Sequence, residues 1–547
     1  MTTSPAELQV QVETEVTGAA RELLAAMALE PSGRVSPSVY ETARVVAEAP
    51  WLTGHARRLT YLLGSQRPDG GWGAPGGYAV VPTVSAVEAL LGALRAGGGD
   101  SRGEPSRAEL AAAAHGGLVV LSGRLAEGAS LPDTPAADLI VPAMVARIDD
   151  HLGWFATHRG GGFDSPLPAL PKVDRRRLDA LHALLAAGRP VPQKLLHAFE
   201  VLGSVARRHP GVAPIAGAVG ASPAATAAWV GSPAGGDRAA LDYLEAAVGP
   251  YGGPVPCCTP ITVFERAWVL STLARAGVPV RPAPKLVAEL AAALGPEGTA
   301  TGPGLPADAD TTSVALYALA RLGHPVDPAS LLHYDLGSHF CTWHGEDGRS
   351  VTTNAHVLEA LGWHARHSVA GGGRYGTRAV ALAGWLRDQQ EADGRWTDRW
   401  HASPYYATSC AVSALDRYAP SGVGGEAVDR AVDWVVATQR ADGSWGRWSG
   451  TVEETVYALQ VMLGVGRPTR PGVREAAHRG LRTLAVEHDR RDDPPLWHDK
   501  DLYRPVFIVQ AATIAVRQLA LTRPDLVGPG HVGDGSCVVE GSMIRNA

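Results

Sequence analysis

The sequence predicts an all-α protein built as two α/α barrels, and three observations favour this fold class. Apolar residues recur at three- and four-residue spacing along most of the chain, in segments long enough for helices of about three to four turns. Runs with strand-like alternation are scarce. A Gln-x-x-Asp-Gly-x-Trp pattern begins at Gln66, Gln390 and Gln439. Because its copies lie both early and late in the chain, we expect one barrel in each part.

The helical segments and the repeated pattern have complementary roles in this prediction. In the pattern, we expect Gly to make a turn, Trp to fill an apolar space, and Gln to hydrogen-bond backbone groups at a neighbouring helix end. Stacked helical hairpins follow from this arrangement, and we assign the pattern no catalysis. The clearest helical segments are VSAVEALLGALRAGG, ERAWVLSTLARAGV, TTSVALYALARLGH, TTNAHVLEALGWHA and ETVYALQVMLGVG.

Two stretches of unusual composition predict the limits of the barrels. The Pro-rich run at residues 277–285 predicts a boundary near residue 275. The last residues, 526–547, are Gly-rich and lack any period, so we predict a disordered tail.

Composition excludes several classes of protein. The 547 residues carry a formal net charge of −6 without a long basic run, which argues against a nucleic-acid partner. The five cysteines lack Cys-x-x-Cys spacing, so a reducing cytoplasm is expected. The first residues have no basic and apolar signal-peptide pattern. We expect no apolar run to reach the roughly twenty residues that a membrane span needs, and we predict a soluble protein without a transmembrane segment.

Asp308 and Asp310 stand one residue apart, just before a long apolar run that ends at Gly323. Two interpretations fit this stretch. Asp310, followed by Thr and Ser residues, is typical of a helix N-cap with a polar first turn. Two neighbouring carboxyl groups can also raise the pKa of one member and perform acid chemistry. The local sequence by itself favours the cap.

The wider pattern resembles the class II terpene cyclases, which start polyene cyclisation by protonating an alkene. The resemblance rests on Asp-x-Asp-Thr-Thr at residues 308–312, on the Gln-Trp repeats, and on further blocks that follow in the family's order. It is strongest to the bacterial diphosphate-retaining enzymes related to copalyl diphosphate synthase. The blocks lie at residues 137–142, 195–197, 222–227, 264–268, 353–359, 398–406 and 496–503.

The resemblance implies a fold of two α/α barrels, called β and γ, with the active site between them. Residues 1–35 and 275–525 would form β, and residues 36–274 would form the inserted γ barrel. The Asp-Asp pairs at 149–150 and 492–493 lack the closing Asp of the diphosphate-ionising motif. The diphosphate is therefore expected to stay on the product.

The resemblance also implies roles for the acid and its neighbours. Asp310 would donate the proton, Asp308 would support it, and Asn354 would hydrogen-bond and orient it. Asn354 also fits a helix N-cap. The carbocation would need a dry pocket with aromatic faces. Candidates for that wall, which also fit an ordinary core, are Trp268, Trp343, Trp400, Tyr405, Tyr406 and Tyr457, and among them Trp400, Tyr405 and Tyr406 are preferred.

Basic residues are expected at the diphosphate end of the substrate. The resemblance makes Arg399 the first diphosphate ligand, assisted by Arg177 and by Lys500 or Lys172. It places Asp138 with Mg²⁺, since one carboxylate plus substrate phosphates is an ordinary magnesium arrangement; a helix cap is the alternative for Asp138.

His197 matches a substrate-site residue that, in plant enzymes making ent-copalyl diphosphate, holds the final proton-accepting water together with an Asn. Cys257 stands where that Asn would be. A thiol holds water poorly. We therefore predict that another base ends the reaction and that the product is not ent-copalyl diphosphate.

The resemblance thus implies a class II cyclase acting on a linear prenyl diphosphate, geranylgeranyl first and farnesyl second, to give a bicyclic product, with a terpene-processing enzyme downstream. Three alternatives stay open. They are a triterpene cyclase of the squalene–hopene kind, a prenyltransferase β-subunit with zinc on Asp335, Cys341 and His344, and a non-catalytic helical scaffold.

Overall fold

The computed structural model describes residues 5–99, 103–128, 130–158, 163, 166–234, 237–346, 348–367, 372–466, 470–487 and 493–527. These ranges are mostly helical, as predicted. The strands within them form one short antiparallel hairpin, β1 (Trp497–His498) and β2 (Leu502–Tyr503), in which Trp497 pairs with Tyr503.

The helices of the described ranges fall into an early and a late group along the chain. The early ones are α1 (Pro5–Leu29), α2 (Val39–Glu48), α3 (His55–Gly64), α4 (Val80–Arg95), α5 (Arg107–Ala126), α6 (Ala137–Thr157), α7 (Arg176–Ala186), α8 (Pro223–Val230) and α9 (Arg238–Val248). The later ones are α10 (Thr262–Ala276), α11 (Pro284–Ala292), α12 (Ala309–Arg321), α13 (Val351–His367), α14 (Gly372–Asp388), α15 (Pro404–Tyr418), α16 (Gly425–Ala437), α17 (Val452–Gly464), α18 (Pro471–Glu487), α19 (Val506–Thr522) and α20 (Pro524–Val527). Shorter 3-10 segments are Gly76–Ala79, Gln193–Ala206, Gly249–Tyr251 and Pro328–Tyr334.

Six later helices close into a ring. Helices α10, α12, α13, α15, α17 and α19 each contact the next one, and α19 contacts α10. Helices α1, α11, α14, α16 and α18 pack outside this ring. An inner ring with an outer layer of helices is an α/α barrel, and its apolar side chains form one large core.

The early helices other than α1 form a smaller ring of the same kind. Helices α2, α4, α6, the 3-10 segment Gln193–Ala206 and α8 contact one another in that order, and α8 returns to α2. Helices α3, α5, α7 and α9 pack outside. Their apolar residues form a second core, separate from the first.

The change from one core to the other falls earlier than the Pro-rich run. Val255 belongs to the early core, whereas Cys257 and Ile261 belong to the late core. Helix α10, predicted to lie in the early barrel, closes the late ring against α12 and α19. The prolines at 277–285 therefore mark the turn between α10 and α11 inside one barrel. At the other end, Leu526 is buried in α20, and residues 528–547 of the predicted tail lie outside the described residues.

The three Gln-Trp repeats make the same hydrogen bonds. Each Gln Nε2 donates to the Gly carbonyl of its own repeat and to a carbonyl of the following outer helix, at 2.7–2.9 Å. Each Trp is fully buried and donates Nε1–H to a carbonyl ten residues earlier. The Gly residues have φ values of 91°, 101° and 88°, a left-handed conformation that favours glycine. The motif thus ties each turn to the next helix.

The stretch Gly76–Arg95 is long and apolar enough to cross a membrane by length and composition, contrary to the expectation from sequence that no run would reach this length. In the structure 78% of the 18-residue apolar part of this stretch is buried, because α4 packs against α2, α5 and α6 in the early ring. Its Glu88 pairs with Arg44, which is also buried. Burial on all sides explains its apolar composition.

Candidate active site

The two aspartates stand at the first turn of α12, on the inner ring of the late barrel. Asp308, and not Asp310, is the N-cap: its carboxylate accepts hydrogen bonds from Thr311 N at 2.6 Å and from Thr311 Oγ1 at 2.9 Å. Asp308 is almost completely buried. Burial raises the pKa of Asp308 to about 8; the Thr311 bonds oppose this shift and the nearby Asp310 charge adds to it. A carboxyl group with such a pKa holds its proton at neutral pH.

Asp310 is paired with a histidine that the sequence did not single out. Nδ1 of His356, on α13, lies 2.7 Å from Asp310 Oδ1. Burial alone would lower the pKa of His356, but the Asp310 carboxylate raises it well above its ordinary value. The imidazole therefore donates its Nδ1–H to Asp310 and brings a positive charge to it. Such a partner stabilises the ionised form of a carboxyl group.

Asn354 does not contact Asp310, so the role predicted for it was wrong. Its Oδ1 accepts from Phe340 N at 2.8 Å, and its Nδ2 donates to Phe340 O and Ser350 O at 2.9 and 2.8 Å. These bonds hold the segment before α13 onto the helix. Residues 354 and 356 lie about 200° apart around the helix axis, so only His356 faces α12.

Separate substitutions of His356 and Asn354 distinguish a chemical role from a structural one. We expect His356→Phe to lower kcat by about tenfold to a hundredfold, because this factor corresponds to the free energy of a hydrogen bond to a charged group. The melting temperature should change little. Asn354→Ala should instead lower the melting temperature, because it leaves two backbone groups of Phe340 unpaired. Steady-state kinetics and thermal melts of both variants check this. The reverse pattern would return the supporting role to Asn354.

Four aromatic side chains form a buried wall next to the Asp310–His356 pair. The aromatic wall consists of Phe264 and Trp268 on α10, Tyr406 on α15, and Trp497 on β1. The Trp268 ring meets the His356 ring edge-on, with ring centroids 5.4 Å apart. Trp268 also donates its Nε1–H to the Tyr406 hydroxyl at 2.9 Å. Tyr406 lies 4.7 Å from Trp497, and Phe264 lies 4.3 Å from Trp268, between ring centroids. Such faces stabilise a cation without reacting with it.

Comparisons with known proteins agree with this chemistry. A family profile described as the squalene-hopene cyclase C-terminal domain matches residues 346–470. Over 507 residues the chain is 45% identical to the ent-copalyl diphosphate synthase of Streptomyces sp. (strain KO-3988), covering 91% of this chain and 96% of that protein. The labda-7,13-dienyl diphosphate synthase of Streptomyces clavuligerus is 42% identical over 543 residues, covering 94% and 96%. The chain belongs to the class II terpene cyclases.

A solved structure supports the same assignment for the fold of this cyclase. The ent-copalyl diphosphate synthase from Streptomyces platensis superposes with a TM-score of 0.85 at 42% identity, covering 92% of this chain and 99% of that one. The predicted all-α barrel fold and the predicted family are therefore confirmed.

Behind the aromatic wall of this cyclase lies a buried carboxylate that sequence reasoning missed. Glu453 Oε1 accepts from Trp497 Nε1 at 2.7 Å, from Tyr457 OH at 3.2 Å and from His401 Nε2 at 3.2 Å. His401 in turn stacks on Tyr406 at 4.5 Å. In the sequence, Glu453 looks like an ordinary acidic residue of a helix first turn, and no local signal distinguishes it. Its bonds fix the orientation of the wall.

The other predicted aromatics divide into two groups. Tyr405 lies about 100° around α15 from Tyr406 and packs on Trp434, with ring centroids 4.7 Å apart, so it is a core residue of the barrel. Trp400 contacts Trp343 at 5.0 Å and donates to Thr342 Oγ1 at 3.3 Å. Because the Thr342 carbonyl accepts from Ala309 N, these two tryptophans lie beside the start of α12.

Arg399 lies next to this tryptophan pair. Its guanidinium is 5.2 Å from the Trp400 ring and pairs with Asp133 at 3.0 Å and Glu346 at 3.4 Å. Asp133 is largely exposed, whereas Arg399 itself is mostly buried. A diphosphate could take the place of the exposed Asp133 carboxylate against Arg399. This position fits the predicted diphosphate ligand.

Arg177 and Asp138 contact each other. Arg177 donates to Asp138 Oδ2 at 2.8 Å, and both side chains are exposed. Asp138 stands in the first turn of α6, and Arg177 in the first turn of α7. The candidate Mg²⁺ ligand and one candidate diphosphate ligand thus lie together on the surface of the early barrel.

Lys500 cannot bind the diphosphate, contrary to our prediction. Its side chain is fully buried, and its Nζ pairs with Glu41 and with Glu200, the latter at 3.0 Å. It also donates to His197 O at 2.7 Å and to Ser222 Oγ at 2.9 Å. The lysine, from the hairpin of the late barrel, is thereby fixed to three segments of the early one. It joins the two barrels.

His197 is likewise engaged in this charged cluster. Its Nδ1 donates to Gly220 O at 2.7 Å and its Nε2 to Asp499 Oδ1 at 2.8 Å. Both ring nitrogens are occupied, so neither is left for the water-holding role that the resemblance implied for His197. Cys257 is fully buried nearby, in keeping with the small apolar residue that a thiol can be.

The zinc alternative finds no support in the described residues. Within them, no group of three or more His, Cys, Asp or Glu side chains could hold a metal ion. Asp335 pairs with Arg378 at 2.8 Å, Cys341 donates to Tyr334 O, and His344 stacks on the Tyr334 ring.

Proposed function

We propose that this cyclase converts geranylgeranyl diphosphate into a bicyclic, decalin-type product that keeps its diphosphate, with farnesyl diphosphate as the second choice of substrate. The Asp310–His356 pair beside the aromatic wall carries the proposal. The names of two relatives at 42–45% identity support it, since one is an ent-copalyl and the other a labda-7,13-dienyl diphosphate synthase. The missing diphosphate-ionising motif is consistent with it.

In this mechanism Asp310 protonates the terminal alkene. Oδ1 is held by His356, and the proton is delivered from Oδ2 to one alkene carbon, which leaves a tertiary cation on the other. The hydrogen bond from His356 Nδ1 and the neutral Asp308 keep the new carboxylate stable. The internal double bonds then attack in turn, and the cation moves along the aromatic wall as the two rings close.

The diphosphate would stay outside the apolar part of the site. Arg399 would bind it in place of Asp133, and Arg177 would assist from the early barrel. Asp138 would hold Mg²⁺, since its carboxylate is exposed and a hydrated Mg²⁺ needs few protein ligands beside phosphate oxygens. The metal would neutralise diphosphate charge. We further propose a cytoplasmic location and a downstream terpene-processing enzyme that takes the diphosphate product.

The direct test is to incubate the purified protein with geranylgeranyl diphosphate, farnesyl diphosphate or squalene, dephosphorylate, and identify the alcohols. A bicyclic C20 alcohol is expected from the first substrate. Cyclised squalene without cyclised prenyl diphosphate would overturn the proposal in favour of a triterpene cyclase. Chiral analysis of the same alcohol tests the prediction from Cys257, which ent-copalol as main product would contradict.

Arg399→Ala should weaken substrate binding. A charge-assisted contact with the diphosphate is present in both ground and transition states, so we expect KM to rise by about tenfold to a hundredfold with a smaller change in kcat. Because Arg399 also pairs with buried Glu346, thermal melts must accompany the kinetics. If KM stays at the wild-type value in a folded variant, Arg399 is only a structural ion-pair partner.

Removal of divalent metal tests the role of Asp138. We expect EDTA to lower the rate and Mg²⁺ to restore it, because unneutralised diphosphate charge would weaken binding to the site. Asp138→Asn should raise the Mg²⁺ concentration needed for half-maximal rate. A rate that EDTA leaves unchanged would remove the metal from the proposal.

A further inference from the structure

The aromatic wall continues from the Asp310–His356 pair towards a second carboxylate, Asp499. Trp497 is the last member of the wall, and Asp499 follows it by two residues in the hairpin turn. Tyr503 pairs with Trp497 across the hairpin, with ring centroids 6.4 Å apart. Burial raises the pKa of Tyr503 well above its ordinary value, and the charges of Asp499 and Glu453 add to the shift. Asp499 therefore lies at the end of the wall opposite to the acid.

Asp499 is an ionised carboxylate with one oxygen available. Oδ1 accepts from His197 Nε2 at 2.8 Å and from Lys500 N at 2.6 Å. The described residues provide no hydrogen bond to Oδ2, and about 10% of the side chain stays accessible. Burial alone would raise the pKa of Asp499, but the charge and hydrogen bond of His197 lower it to about 2.

The neighbouring groups are less suited to accept a proton. Both nitrogens of His197 already donate, to Gly220 O and to Asp499. Burial raises the pKa of Cys257 and Cys258 well above the ordinary value, so both remain thiols. Asp501 uses both carboxylate oxygens, on Ser38 Oγ and Tyr40 N.

We propose that Asp499 is the base that ends the cyclisation, with His197 as its positioning residue. The inference rests on the proposed function. A C–H bond next to the last cation breaks, its electron pair becomes the new C=C bond, and the proton moves to Asp499 Oδ2. The resulting carboxylic acid returns this proton to water after product release, and Asp310 regains one from water. Acid and base thus stand at opposite ends of the wall, as they must when the charge crosses two rings between initiation and termination.

The test compares Asp499→Asn with Asp499→Glu, and uses Asp501→Asn as the matched control. Asparagine still accepts the His197 bond but cannot take a proton, so substrate should still be consumed. We expect the wild-type alkene to fall at least about tenfold as a share of product, in favour of water-captured or rearranged bicyclic diphosphates. Asp499→Glu should restore alkene. Asp501→Asn removes a buried carboxylate of the same hairpin and should give the wild-type product ratio.

Two results would overturn the assignment. One is a folded Asp499→Asn protein that makes the wild-type alkene in its usual share. The other comes from a crystal structure of the wild-type protein bound to a bicyclic ammonium diphosphate that mimics the last cation. This experiment does not depend on the folding of a variant. We expect the nitrogen within about 4–5 Å of Asp499 Oδ2, close enough for proton transfer from an attached carbon; a clearly longer distance excludes Asp499. Failure of wild-type enzyme to cyclise any prenyl diphosphate would instead contradict the proposed function.

Discussion

Asp310→Asn is expected to abolish cyclisation while the protein stays folded. The amide keeps the shape of the side chain and can still accept the His356 hydrogen bond, but it has no acidic proton to give to an alkene. General acid catalysis is worth about 10²–10⁴-fold, and an isolated alkene is a demanding acceptor, so we expect a loss at the upper end. Product formation from geranylgeranyl diphosphate, measured by gas chromatography after dephosphorylation, checks the result.

Asp308→Asn is the matched control for Asp310. Asparagine is as good an N-cap as aspartate, so α12 should keep its start and the variant should fold. We expect severe impairment with some remaining activity, because in the proposed mechanism Asp308 supports the acid without donating to substrate. If Asp310→Asn turned over substrate at a near wild-type rate, the mechanism would be wrong, whatever the outcome for Asp308.

Lys500→Met should have the largest effect on stability. The substitution leaves Glu41 and Glu200 buried without their common cation, and breaking a buried charge pair costs about 3–5 kcal/mol. Because Lys500 links the hairpin of one barrel to segments of the other, we expect loss of the contact between barrels, seen as a lower melting temperature and as proteolytic cleavage between them. KM measured on the folded fraction should change little.

Lys172→Met is the comparison for this variant. Lys172 is exposed, and replacing an exposed lysine normally changes stability by less than about 0.5 kcal/mol. A Lys500→Met protein with the melting temperature of the wild type but with poor diphosphate binding would contradict the structural role. It would restore the ligand role predicted from sequence.

The features that could be recognised from the sequence have their signal in short contiguous motifs. The Asp-x-Asp pair, the aromatic block that contains Tyr406, and the Gln-Trp repeats are short contiguous motifs, although Tyr406 makes its contacts with Trp268 and Trp497, which are distant in the chain. The helical period likewise follows from residues three and four apart. Such features can be recognised without knowing what lies opposite them.

The errors concern partners that are far apart in the chain. Asn354 and His356 are two residues apart, and only the packing of α13 on α12 shows which of them meets Asp310. Lys500 and Arg177 are both basic residues beside family motifs, but one is buried among carboxylates and the other is exposed. The Pro-rich run looked like a boundary because proline signals a turn, whether or not a core changes there.

By itself, the sequence determined the all-α fold class, the repeated turns and the family, and it singled out the Asp308–Asp310 pair as the proposed acid, since these depend on periodicity and on contiguous motifs. Only the tertiary structure decided which histidine supports Asp310, that Glu453 fixes the aromatic wall, and that Lys500 and His197 belong to a charged junction between barrels. The physical reason is that the charge state and hydrogen-bond partners of a side chain depend on burial and on groups that are distant along the chain. Closing the two rings of helices brings those groups together.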